Sequence, residues 1–172
     1  AVYTSNGRAT FGLPAGRYTI FAGRGFEYGI DSRKISLKAG QTANVKLSIA
    51  REVPTAGWVS CDTHVHTLTH SGHGDASIAE RLIVLAAEGI ELPIATDHNI
   101  HIDYNPLAKK MGVRKYFTPV IGNEVTTKTG HFNVFPVQAG AAIPNFKSTD
   151  WKETLKGIYA TPGVKVAILN HA

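Results

Sequence analysis

The chain has 172 residues, 43% of them hydrophobic and 18% charged, with a net charge of +5 and one cysteine. That composition excludes a disordered chain and a disulfide-stapled scaffold, and there is no apolar run long enough to cross a membrane as a helix. The charge is uneven: up to Gly57 there are eight Lys and Arg against three acidic residues, and the remainder is neutral. The basic residues are scattered and lack interleaved aromatics, so a solvated β-surface is expected there and no nucleic-acid partner.

Taken in order, Ala1–Arg51 reads as β structure. Short runs at Ala9–Leu13, Tyr18–Arg24, Arg33–Leu37 and Ala43–Ile49 are separated by Gly- and Pro-containing turns. Val45, Leu47 and Ile49 alternate with Asn44, Lys46 and Ser48, the pattern of a sheet with one wet face. The phrase Phe11-Gly-Leu-Pro-Ala-Gly-Arg-Tyr-Thr-Ile20 resembles carboxypeptidase-regulatory-like (transthyretin-like) modules, which implies a small all-β sandwich-like domain over residues 1–52, trimmed at its N-terminus. Glu52–Gly57 is the expected linker, and Trp58 is expected to pack where the two parts meet. Cys61 is expected to be a small buried hydrophobe.

The second domain, residues 57–172, opens on Asp62, His64 and His66, which alternate within a β-branched stretch. Residues two apart on a strand share a face, so both imidazoles aim at one point. Ser77 and Glu80 form a capping box at the start of a helix that ends near Glu88, with Gly89 closing it. Leu92–Thr96 is the next strand, completing a βαβ unit. Asn105–Met111 reads as a short helix and Phe117–Ile121 as a strand leading to Glu124. Val125–Gly130 reads as a turn and Phe132–Val137 as a strand. Asp150 caps a helix to about Tyr159, with Glu153 completing a second box, and Val164–Leu169 is the last strand.

All eight histidines lie at or after His64. Asp97-His98, Glu124, His131 and His171 each sit at the end or start of a short apolar strand, where α/β proteins build their sites. One buried histidine is usually a satisfied core residue; a set repeated at several strand ends points to a metal site.

Asp62-Thr-His64-Val-His66-Thr, Thr96-Asp97-His98-Asn99, Gly122-Asn-Glu124, Gly130-His131-Phe-Asn and Asn170-His171 together resemble the PHP (polymerase and histidinol phosphatase) metallohydrolases, nearest to their carbaryl-hydrolase-like branch. The resemblance implies an α/β fold, a partial distorted (β/α)7 barrel. It also implies two or three divalent ions of manganese, iron or zinc, and hydrolysis of a phosphoester or of a carbamate, ester or amide bond in a small-molecule substrate. His64 and His66 resemble the first metal pair and Glu124 the bridging carboxylate. His98, beside Asp97, resembles the second motif, and His131 and His171 resemble later ligands. His70 or His73, or neither, ligates a third ion. Asp97 ligates, takes a proton from water or accepts backbone N–H bonds in its turn; Asp97, His98 and Glu124 form the expected catalytic set. Asp62 is expected to orient His64 or His66 or to cap the strand edge, and Asn99 and His101 to face substrate or a surface loop.

Two departures stand out. No Asp-x-His follows His171, and the loop after His66 is longer than the family's usual turn. With about 115 residues from Gly57 onward, against roughly 250 in a typical barrel, a C-terminally incomplete barrel is expected. Its open edge would be able to self-associate. The competing expectation is a non-catalytic metal-binding or attachment protein.

Overall fold

The computed structural model describes residues 1–171, which form eight strands and four helices. They are arranged in three small sheets rather than in the expected (β/α)7 barrel preceded by a sandwich.

The first part is one antiparallel pair, β1 (Gly16–Ala22) with β2 (Asp31–Leu37), in register from Gly16 opposite Leu37 to Ala22 opposite Asp31. Tyr18, Ile20, Ile35 and Leu37 are half-buried, while Arg17, Thr19, Lys34 and Ser36 face water. Ala9–Leu13 is exposed and unpaired. Residues 43–49 keep the predicted alternation, with Val45, Leu47 and Ile49 half-buried, but join no ladder. A hairpin flanked by extended chain thus replaces the expected sandwich. The hairpin is attached through Arg24, whose Nε donates to the carbonyl of Ala86 at 3.2 Å and whose guanidinium lies 5.1 Å from the Tyr28 ring and 4.8 Å from the Tyr116 ring. Gly25, at φ 51°, rests so closely on the Glu88 carbonyl that a Cβ would collide with it. Trp58, expected at this junction, is 81% exposed, and Cys61 is exposed as well.

The second part begins with β3 (Cys61–Val65), α1 (Leu68–Ser71), α2 (Ile78–Ala87) and β4 (Leu92–Ala95). The predicted capping box is present at Ser77 and Glu80. It starts a helix whose Leu82, Leu85 and Ala86 are buried against Val65 and Ala95. α3 (Asn105–Lys110) leads to β5 (Val120–Ile121), and β3, β4 and β5 pair in parallel.

After β5 the pairing changes sense. β6 (Asn123–Thr127) and β7 (Gly130–Phe135) are joined by Lys128 and Thr129 alone, too short a link for a helical crossover, so they pair antiparallel. β6 covers much of what the sequence pattern marks as a turn. α4 (Trp151–Ala160) precedes β8 (Val166–His171), which runs antiparallel to β7. The expected capping box at α4 does not form: Asp150 accepts from the Lys152 amide, while Glu153 accepts from the Ser148 hydroxyl. Two parallel crossovers, β3 to β4 and β4 to β5, followed by a meander are what break the barrel pattern. Among the described residues no strand closes the ring from β8 to β3.

The two sheets of the second part meet at a seam. A single parallel bridge joins His98 to Glu124, with Asn99 N–H donating to the Glu124 carbonyl at 3.0 Å. Gly122 lies in this seam, where a Cβ would come within 2.7 Å of Ile94 Cγ2 and 3.1 Å of the Ala95 carbonyl. Each sheet has its own core on either side, around Leu82 and Phe117 and around Val134 and Ile158.

Leu82 has no exposed surface. Leu82→Ala should cost about 2–5 kcal/mol in a denaturant titration, whereas Trp58→Ala should stay within about 0.5 kcal/mol. Equal costs for the two would contradict this packing.

Candidate metal centre

The seam concentrates the histidines. Glu124, on β6, has no exposed surface, and five imidazoles surround its carboxylate. Oε2 lies 3.4 Å from His64 Nε2, 3.0 Å from His66 Nε2 and 2.9 Å from His98 Nδ1. Oε1 lies 3.0 Å from His131 Nδ1 and 3.5 Å from His171 Nε2, and accepts from Asn170 Nδ2 at 3.2 Å. His64 and His66 come from the end of β3, His98 from the loop after β4, and His131 and His171 from facing positions on β7 and β8. His73, in the loop before α2, closes the far side with its Nε2 2.6 Å from His98 Nε2.

Ligand atoms fall into three overlapping groups, each within 4.8 Å: His66, His73 and His98; His64, His66 and Glu124; His98, Glu124 and His131. His64 Nε2 and His66 Nε2 are 2.9 Å apart. Two imidazole nitrogens at such a distance cannot both carry a proton, so at least one lone pair is directed there. Metal–nitrogen and metal–oxygen bonds of about 2.0–2.2 Å place neighbouring ligand atoms roughly 2.9–3.5 Å apart at tetrahedral or octahedral angles. The contacts around Glu124 fall in that window. The cluster can hold a metal ion.

Burial raises the Glu124 carboxyl pKa. The adjoining His66 ring, hydrogen bonds from Asn170 and His131, and the charge of His98 outweigh it, holding the group well below its ordinary value. Burial also lowers His98, opposed by Glu124 and reinforced by the neighbouring His66, His73 and His131. A neutral imidazole is the form that ligates, so both shifts favour the binding state.

The remaining expected residues stand one layer back. Asp97 is fully buried with both oxygens occupied. Oδ1 accepts from the Thr67 amide at 2.7 Å, the Thr67 hydroxyl at 3.0 Å and the Ser71 hydroxyl at 2.6 Å, and Oδ2 accepts from the Tyr104 hydroxyl at 2.9 Å. Burial and the charge of Asp97 push the Tyr104 hydroxyl far up. Asp62 accepts from the backbone amide of His64 at 3.0 Å and so fixes its main chain rather than its ring. Asn99 adopts a left-handed conformation at φ 52°, which asparagine tolerates better than most residues. Its side chain imitates a strand neighbour: Oδ1 accepts from Thr126 N–H at 2.9 Å, and Nδ2 donates to the Thr126 carbonyl at 3.2 Å. The ring of His70 belongs to none of the three groups. His101 bonds the Ala141 carbonyl through Nδ1 at 3.1 Å, and burial lowers its pKa.

Four supports had no role in the sequence reading: Ser71, Thr126, Asn133 and Asn170, the last two standing there only as parts of motifs. Thr126 Oγ1 lies 2.6 Å from His98 Nδ1. Asn133 Nδ2 donates to the Thr63 carbonyl at 2.8 Å, tying β7 to β3. Asn133 carried a readable signal, being a polar residue two positions from His131 inside an apolar run. Asn170 was marked by its place beside His171, whereas Ser71 and Thr126 are small polar residues without any marker of spacing.

Because the ligand atoms come from both sheets, metal binding should stabilise the fold. With free ion at about 100 times Kd the gain is about 2.7 kcal/mol, equivalent to roughly 5–10 °C in Tm at this chain length. Chelation should reverse it in differential scanning calorimetry. Lowering the pH should weaken binding, because protons compete with the ion for the ligating imidazole nitrogens, and an affinity independent of pH by chelator competition would contradict histidine ligation. In comparisons with known proteins, no family model, no curated protein and no solved structure matches the chain, so any functional reading rests on the geometry of Glu124 and its histidines.

Proposed function

We propose that the chain is a metal-dependent hydrolase of the PHP type, acting on a phosphoester or on a carbamate, ester or amide bond of a small molecule. The observation that carries this reading is the buried Glu124 carboxylate shared by His64, His66, His98, His131 and His171 across two sheets. A purely structural metal site closes four ligands around one ion. This cluster offers overlapping ligand groups instead, which suits two or three ions. The mixed nitrogen and oxygen donors suit manganese, iron or zinc.

Bound divalent ions would supply Lewis acidity and a water acidic enough to ionise near neutral pH. His64 and His66 sit at one end of the carboxylate, His131 and His171 at the other, and His98 and His73 extend the cluster toward α2. Glu124 holds these groups at fixed separation without itself reaching solvent. His64, His73 and His171, the exposed histidines of the cluster, line the side from which a substrate enters. No side-chain nucleophile is required. Asp97, engaged in four hydrogen bonds, serves to hold the loops rather than to exchange a proton with substrate.

The test combines binding with catalysis. Replacing both His64 and His66 with Ala should reduce bound divalent ion at least tenfold and abolish hydrolysis of p-nitrophenyl phosphate and of an aryl carbamate, with the circular dichroism unchanged. Full metal stoichiometry in the double variant would sink the site assignment. Metal retained by the unaltered chain, with neither substrate class turned over under manganese, iron or zinc, would support a binding role instead.

A further inference from the structure

Ser71 is the last residue of α1, and its hydroxyl has three partners. It lies 2.6 Å from Asp97 Oδ1, 3.1 Å from His66 Nδ1 and 3.3 Å from the backbone nitrogen of His98. A hydroxyl has one proton and two lone pairs, so three partners saturate it.

The protons can be placed one by one. Asp97 Oδ1 already accepts from the Thr67 amide and the Thr67 hydroxyl, so the short contact to Ser71 uses the serine proton. The His98 backbone can only donate, and it takes one lone pair of Ser71. The remaining lone pair faces His66 Nδ1, which must therefore be the donor. A neutral imidazole carries one proton. With that proton on Nδ1, Nε2 is a bare lone pair, 3.0 Å from Glu124 Oε2 and 2.9 Å from His64 Nε2.

We propose that Ser71 is the positioning residue that fixes His66 in its Nδ1–H tautomer, aiming the Nε2 lone pair into the cluster. Asp97 acts through Ser71: by taking the serine proton, it leaves the oxygen free to accept from the ring. The buried Asp97 carboxylate is thereby linked to a ligand it does not touch. Partners that orient a ligating histidine commonly accept from its second nitrogen. Here the acceptor is a hydroxyl standing between the ring and the carboxylate. The assignment rests on the metal-binding reading of the cluster and not on the reaction.

The direct experiment is nitrogen NMR of the imidazole rings in the metal-free protein labelled with 15N-histidine, recorded above pH 7.5. His66 should show the Nδ1–H pattern, and an Nε2–H pattern in the unaltered chain would overturn the proposal whatever the enzyme hydrolyses. In Ser71→Ala the ring should shift toward Nε2–H, and zinc affinity by chelator competition should fall about 10–100-fold. Ser71→Thr keeps the hydroxyl and should restore both. Unchanged zinc affinity in Ser71→Ala, or equal losses in the Ala and Thr variants, would overturn the assignment, the latter by attributing the effect to packing.

Discussion

A carboxylate removed from water must be compensated by hydrogen bonds or by opposite charge. Glu124 has no exposed surface, and the second part of the chain is arranged around satisfying it. Five imidazoles and one amide approach its two oxygens. They come from three strand ends, on β3, β7 and β8, and from the loop after β4, so none of these can be displaced without uncovering part of that carboxylate. The hydrophobic cores lie to either side and stabilise each sheet separately, whereas the polar seam fixes how the sheets face each other. A seam built this way is a specific joint but a poor glue, because each imidazole nitrogen facing another contributes repulsion until a cation or proton intervenes.

Around this cluster the structure spends small polar residues on orientation. Thr126 meets His98, Asn99 clamps Thr126, Asn133 ties β3 to β7, and Asp97 gathers Thr67, Ser71 and Tyr104. A converging set of rings is useful only if each presents its lone pair at the right point, and side chains with one or two defined hydrogen bonds enforce that better than apolar packing does.

The histidine positions were legible because metal-ligand chemistry is restricted to few residue types and because strand alternation makes His64 and His66 neighbours in space. The α2 cap was legible because Ser77 and Glu80 carry a reciprocal pattern. The barrel was not: a strand followed by a ligand reads the same whether the next connection is a helix or a two-residue turn, and Lys128-Thr129 decided for the turn. The β6 strand was hidden by its threonines and the adjoining glycine, which favour strands and turns alike. The role of Asp97 stayed open between ligand, base and acceptor, because a carboxylate beside a ligating histidine looks like a ligand until its oxygens are counted. Ser71 was illegible because its partners are 5, 26 and 27 positions away.

The attachment of the hairpin has a mechanical meaning. Arg24 and Gly25 hold the C-terminal end of α2, and Arg81, in that helix's first half, donates from Nε to the carbonyl of His66 at 3.1 Å. A short helix transmits displacement as a stiff rod. The hairpin is therefore fastened to one end of a lever whose other end bears on the main chain of a metal-site histidine, and load applied to the outer sheet is felt where the ring is aimed.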